Sequence, residues 1–205
     1  MRLTSLLLVL ATAVVLAQSD LDPDSHARLP YLQRKDMGAA DQKIFDVLPG
    51  KGQDGVLRGP LAFAAYNPGA AKALFDLHNA AVAGSLNPHA RELAIMVACR
   101  ETNYNLEWNA HEATALKNGV DATVIAAIRN RRALTGIDEK DAVVIRLGRQ
   151  MFSDRKVDSG TFAKIVELYG RKGAMDLVAV MNTYAVSGFY AIAVDEHPAA
   201  GKQPL

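Results

Sequence analysis

An all-α domain is what this sequence predicts, and three observations predict it. No stretch alternates apolar and polar residues with the period of a strand. Apolar residues recur instead at spacings of three and four, between polar caps and Gly or Pro stops. Hydrophobic residues make up 50% of the chain but aromatics only 6%, so the apolar content is mostly aliphatic, with alanine and leucine prominent. The 205 residues suffice for one domain with its own core. About seven or eight helices fit the pattern.

The N-terminus is read separately. Met1 and Arg2 precede an apolar run from Leu3 to Leu16, interrupted only by Thr4, Ser5 and Thr12. Val15-Leu16-Ala17 offers the small residues a signal peptidase needs, and polar Gln18 to Asp20 follows. The run is short for a membrane span. Residues 1–17 are therefore expected to be a secretory signal cleaved after Ala17, with an uncleaved anchor as the alternative. The mature protein would be secreted or periplasmic, with no stable membrane span. Residues 18–37 read as a polar spacer ending in an extended arm, "RLPYLQRKDM", which Leu29, Tyr31 and Leu32 can pin to the domain. The domain proper is expected at 38–195, with a tail at 196–205.

Each element then follows in order. "GAADQKIFDVLPG" is a short helix stopped by Pro49-Gly50. The glycine-rich stretch up to Gly69 is a loop whose apolar middle, Leu61 to Tyr66, folds back over something. Asn67-Pro68 and Asn87-Pro88 each start a helix: the Asn side chain caps, and Pro fits the first turn. In the first of these, Ala71, Leu74, Phe75, His78 and Val82 recur at helical spacing. A fourth helix spans Tyr104 to Lys117 and stops at Asn118-Gly119. Asp121, Asp138 and Ser159 cap the next three, and Gly170 ends the last of them. The final segment, Ala174 to Val194, is apolar nearly all round. It suits a buried central helix or an oligomer interface, while its Asn182, Thr183 and Ser187 argue against a membrane span.

Bulk charge narrows the function classes. The formal net charge is +1 with no block of like charge, which argues against nucleic acid or an anionic membrane as partner. The one cysteine, Cys99, allows no internal disulfide and reads as a buried, inert thiol inside "LAIMVAC". Export without disulfides fits a bacterial periplasm.

The chemistry-bearing stretch is "EWNAH". Tyr104, Glu107, Trp108 and His111 are spaced i, i+3, i+4 and i+7, which predicts one shared helix face. In a half-buried cleft such a face would tune both the carboxyl and the imidazole. The plainer alternative is a surface Glu–His pair with Trp108 packed below. On the preceding helix Glu92 leads an unbroken apolar run, Leu93 to Cys99. It either serves the helix dipole or meets a partner inside. The short link "ETN" folds the two helices into an antiparallel hairpin, which brings Glu92 level with His111. A zinc site on Glu107 and His111 would need a third ligand from His78 or His89, at no recognisable spacing, so no metal is expected.

The order R-E-L-A-I, then E-W-x-x-H, then G-V-D at 119–121 resembles the carboxymuconolactone decarboxylase family, within the alkylhydroperoxidase D-like superfamily. "RLPYLQR", "GPLAFAAYNPGAAKAL" and the C-terminal half from "AVVIRLGRQMF" extend the likeness over most of the chain. The resemblance implies a helical domain that forms a homo-oligomer, a trimer or hexamer. It also implies Glu92 and His111 as a proton relay, without a cofactor. The peroxidase branch carries C-x-x-C-x-x-x-H here. This chain has Tyr104 and Glu107 at the two cysteine positions, so thiol peroxidase activity is not expected. The expected reaction is decarboxylation of a small carboxylated lactone or aromatic-derived acid. His111 would be general acid, Glu92 its orienting partner and Glu107 an auxiliary group. Trp108 and Tyr104 would supply a wall and a hydroxyl. Arg91 would anchor the substrate carboxylate or form a surface ion pair. A non-catalytic module binding small acids, or an oligomeric interaction protein, is the alternative.

Overall fold

The computed structural model describes residues 20–198 and Leu205; the expected signal segment and most of the tail lie outside the described residues. Seven α-helices make up the described chain: α1 Ala39–Asp46, α2 Pro68–Val82, α3 Pro88–Glu101, α4 Asn105–Lys117, α5 Ala122–Arg129, α6 Glu139–Arg149 and α7 Ser159–Ala193. Among these residues the only β pairing is an isolated bridge between Lys51 and Leu57. No helix among them is long and apolar enough to cross a membrane.

The caps act as their side chains dictate. Asn67 Oδ1 accepts from the Ala70 amide at 3.2 Å, and Asn87 Oδ1 from Ala90 at 2.8 Å. Asp121 and Asp138 accept from Thr123 and Lys140. The cap of α7 is Asp158 rather than Ser159, because its carboxylate takes the Thr161 amide at 2.7 Å. Gly170, expected to end one helix before another, sits inside α7 at φ 71°, ψ 170°, and breaks it into two arms. Only glycine adopts that backbone readily.

Helix α3 is the hub. Ala90 and every residue from Glu92 to Cys99 are buried, which explains the unbroken apolar run that periodicity could not orient. It packs against α4, α5, α6 and α7. The approach of α6 is so close that a Cβ added at Gly148 would stand 2.2 Å from Val97 Cγ1. Because its apolar residues are buried on all sides, the hydrophobic effect orients the bundle around α3.

A second apolar cluster ties α1 to α2 through Phe45, Leu48, Leu61 and Leu74. The loop between them folds back as expected, with Leu61 to Ala65 buried. Residues 20–28 are more than a spacer. Ala27 is buried against Ala62, Phe63 and Val194, and the Arg28 amide donates to Val194 O at 2.7 Å. Tyr31 stacks on Phe63 at 6.0 Å, whereas Leu29 stays exposed. The arm also contains a 3-10 turn at Arg34–Asp36 instead of running extended.

Candidate active site

The hairpin of α3 and α4 places Glu92 against His111. The His111 Nδ1–H donates to Glu92 Oε2 at 2.8 Å. One turn earlier on α4, Glu107 Oε2 lies 3.3 Å from His111 Nε2. From α7, the Tyr184 hydroxyl stands 3.4 Å from the same Nε2, and its ring meets the imidazole edge to face at 5.2 Å. Three helices thus converge on one imidazole. Glu92 and Glu107 are both buried, at 5% and 7% exposure. Two buried carboxylates are costly unless paired, and a protonated ring between them provides the pairing.

Electrostatics follow from that arrangement. Burial alone would lower the His111 pKa, but the hydrogen bonds and charges of Glu107 and Glu92 outweigh it and push the group up to about 9. The imidazolium is therefore the resting form at neutral pH, with both ring nitrogens donating. Fully ionised, Glu92, Glu107 and His111 carry a net charge of −1. Burial, then the Glu107 charge, raises the Tyr184 phenol far above its ordinary range, so it stays protonated. The two carboxylates address opposite sides of one ring and do not converge on a point. Among the described residues no His, Cys, Asp and Glu group is placed to hold a metal ion.

Glu107 also faces a cavity of about 140 Å³. Pro60, Leu61, Leu74 and Phe75 supply apolar wall, and His78, Tyr184, Thr183 and Ser187 supply polar atoms. His111 is not among the lining residues and reaches the cavity only through Glu107 and Tyr184. The folded-back loop of residues 50–67 closes one side, so its apolar middle has a positional role.

Three expected site residues lie elsewhere. Tyr104 precedes the first turn of α4 with ψ 88°, so helical spacing does not apply to it. It lines a separate cavity of about 180 Å³ with Glu196 and His197. There, burial and then the Glu107 charge push the Glu196 carboxyl up to about 7. Trp108 is fully buried in the main core and is not a cavity wall. Its Nε1–H donates to Glu112 at 3.3 Å, and the Arg129 guanidinium covers its ring at 4.8 Å. One residue on from Glu107, it is turned about 100° around the helix toward α5. Arg91 donates to Val82 O at the end of α2, at 3.4 Å, and among the described residues it neither lines the cavity nor forms an ion pair.

Sequence reasoning passed over Tyr184 as a site residue and weighed His78 only as a metal ligand. The available signal was polar Thr183, Tyr184 and Ser187 interrupting an otherwise apolar helix. Cys99 is fully buried, and burial holds its thiol well above the ordinary range, as an inert core thiol requires.

Residues 68–146 match the model of the Carboxymuconolactone decarboxylase family. No curated protein matches the chain. Several solved structures share its fold. One is the debrominase Bmp8 in complex with 2,3,4-tribromopyrrole, with TM-score 0.60 and 18% identity over 83% of this chain and 90% of that one. Another is a peroxidase-related protein from Ralstonia eutropha JMP134, described as an alkylhydroperoxidase AhpD core, with TM-score 0.62 and 19% identity over 88% and 98%. A peroxidase-related protein from Silicibacter sp. TM1040 gives 0.63 and 15% over 89% and 95%. At such identities the likeness establishes the fold, which is alkylhydroperoxidase D-like.

Proposed function

With residues 68–146 belonging to the carboxymuconolactone decarboxylase family, we propose that this chain is an acid–base enzyme moving a proton on a small ring-shaped substrate. Glu107 is the group that meets the substrate. His111 and Glu92 stand behind it as proton reservoir and anchor. One observation carries this reading: of the two carboxylates that hold the His111 imidazolium, Glu107 is the one that also lines the cavity.

The chemistry is proton exchange at a carbon next to a lactone-type carbonyl. When such a carbon gives up a proton or CO2, the electron pair it retains passes into the carbonyl oxygen. Glu107 takes or returns the proton at carbon, and His111 recharges Glu107 through Nε2. In enolisation the proton taken by Glu107 is returned to carbon, whereas in decarboxylation the proton delivered to carbon is replaced from water through the imidazolium, one for each CO2 released. Decarboxylation of a small carboxylated lactone falls within this class, and so does simple enolisation of an uncharged ring. The debrominase Bmp8 binds 2,3,4-tribromopyrrole on the same fold, which supports a single-ring substrate here. A thiol mechanism has no support, because the chain's one cysteine is buried away from the cavity.

Two further features belong to the same proposal. The apolar segment 1–17 supports export. Met175, Phe189 and Ile192 on α7 are more than half exposed, at 52%, 58% and 54%, which supports a homo-oligomer.

The test is turnover on a panel of charged and uncharged lactones, read as CO2 release and as deuterium uptake from D2O. Glu107→Gln and His111→Gln should each lose about 10²-fold or more in rate while keeping the helical circular dichroism spectrum. Full activity in Glu107→Gln would end the assignment. Binding without turnover in the unaltered protein would favour a small-molecule binding module instead.

A further inference from the structure

We infer that the cavity beside Glu107 receives its ligand as an uncharged single ring with one polar group turned to the imidazole of His78. The inference deepens the acid–base reading and relies on it for the location of the site.

Size comes first. A cavity of about 140 Å³ is close to the roughly 150 Å³ that accommodates benzene in an apolar protein interior. It has room for one five- or six-membered ring, with its mouth open to solvent. The apolar wall of Pro60, Leu61, Leu74 and Phe75 suits the faces of such a ring.

Charge comes second. Among the described residues no lysine or arginine lines the cavity, while Glu107 does. Together with His111 and Glu92 behind it, Glu107 leaves the cluster with a net charge of −1 when ionised. A carboxylate on the ligand would shed its water, gain no cation and face like charge. The guanidinium that might have served, Arg91, is engaged with Val82 O outside the lining. A neutral ring avoids all three costs.

Elimination narrows the polar contact. The Thr183 hydroxyl donates to Ala179 O at 2.9 Å, and the Ser187 hydroxyl points to Thr183 O at 3.5 Å. Both therefore spend their protons on their own helix. Tyr184 accepts from the His111 Nε2–H and keeps its own O–H, so it is the one other donor to the cavity, held beside His111. His78 alone lines the cavity with a ring that no group among the described residues hydrogen-bonds. It packs 6.0 Å from the Tyr184 ring, ring centre to ring centre. Its burial lowers the ring's pKa, against a smaller opposing effect from Glu107, so at neutral pH it offers one N–H donor and one lone pair. A lactone carbonyl can accept that N–H while the ring carbon beside it faces Glu107. Of the reactions proposed above, this selects proton exchange on an uncharged ring over loss of CO2 from an anionic one.

The experiment is a ligand-observed NMR titration of the mature chain at neutral pH. The probes are γ-butyrolactone and its γ-carboxylate, which differ by one ionised group. The neutral lactone should bind at least about tenfold more tightly. His78→Leu should weaken the lactone about three- to tenfold and leave the carboxylate unchanged. Glu107→Gln should narrow the gap between the two probes. Circular dichroism and thermal melts check each variant's fold, with His78→Gln as substitute if His78→Leu unfolds. Equal or tighter binding of the carboxylate overturns the inference, as does no detectable binding of the lactone. An unchanged lactone affinity in a folded His78 variant overturns the contact with His78. Because affinity is read without turnover, the two proposals fail separately. Absence of deuterium uptake sinks the acid–base reading and leaves the affinity ratio standing, whereas an inverted ratio leaves proton exchange untouched.

Discussion

Two imidazole–carboxylate pairs hang from the same buried helix. Near the start of α3, His89 Nε2 meets Asp141 of α6 at 2.8 Å. One turn on, Glu92 meets His111 of α4 at the same 2.8 Å. In distance the pairs are identical, and their surroundings separate them. Among the described residues only Asp141 reaches the His89 ring within ion-pair distance, and neither residue lines the cavity of Glu107. His111 meets a second carboxylate and a phenol, and through them a ring-sized cavity. A histidine–carboxylate contact by itself ties two helices together. It becomes a candidate site when the ring's other nitrogen is addressed as well and that second partner faces open space.

The strongest way to break this comparison is to neutralise the acid in each pair. Glu92→Gln keeps size and hydrogen bonding but removes a charge that holds the His111 proton. Deuterium exchange into substrate should fall about 10²-fold. Asp141→Asn makes the equivalent change in the other pair. Its rate should stay within about twofold, while stability falls by about 1–2 kcal/mol for the weakened buried hydrogen bond, read by urea denaturation. Equal losses of activity in the two variants would erase the distinction.

The sequence made one of these pairs legible and left the other hidden. The hairpin argument paired Glu92 with His111 because the two helices are joined by a short link. His89 and Asp141 are 52 residues apart on helices with no short connection, and only packing brings them together. The same limit hid Tyr184, which is 73 residues from His111 and reaches it along α7. It also misdirected Trp108: spacing of three or four marks neighbours on a helix, but the face that is buried depends on which helices surround it. The helices themselves were legible, because caps and stops are local. Gly170 was rightly placed as a break, while the arm before α1 was read as looser than it is. Ala27, a small residue with no pattern around it, gives no sign in sequence that it will be buried against Val194.

A second contrast is expected in the pH dependence of stability. Glu92 from α3, Glu107 from α4 and Tyr184 from α7 all face the His111 ring, with His78 of α2 beyond Tyr184. Folding raises the His111 pKa from 6.5 to about 9. Below the lower value the ring is protonated in both folded and unfolded chains, and its pairing contributes in full. As pH rises through the higher value the folded chain loses that proton and the contribution disappears. The melting temperature of the unaltered protein should therefore fall more steeply between these limits than that of His111→Gln. His89→Gln should keep the steep fall, since it leaves the His111 cluster in place. Parallel curves for the unaltered protein and His111→Gln would mean that the ring is not held as a cation.

The smallest effect expected separates two tyrosines. Each imidazole pair has one nearby. Tyr184 sets its hydroxyl 3.4 Å from His111 Nε2, while Tyr169 donates its own to Lys140 O at 3.1 Å, beside Asp141. Burial keeps both phenols protonated, for Tyr169 with help from the charge of Asp141. The Tyr184 oxygen is a second acceptor for the Nε2–H and so helps hold the imidazolium. At 3.4 Å it is a weak one, and Glu107 remains when it is gone. Tyr184→Phe should accordingly lower kcat about two- to fivefold, with little change in KM, and move the alkaline limb of the rate profile to lower pH. A phenol that merely packed would leave that limb in place. Tyr169→Phe should change neither kcat nor the limb and should register only in thermal stability, because the carbonyl it serves, that of Lys140, adjoins Asp141 of the pair that stops at holding two helices together.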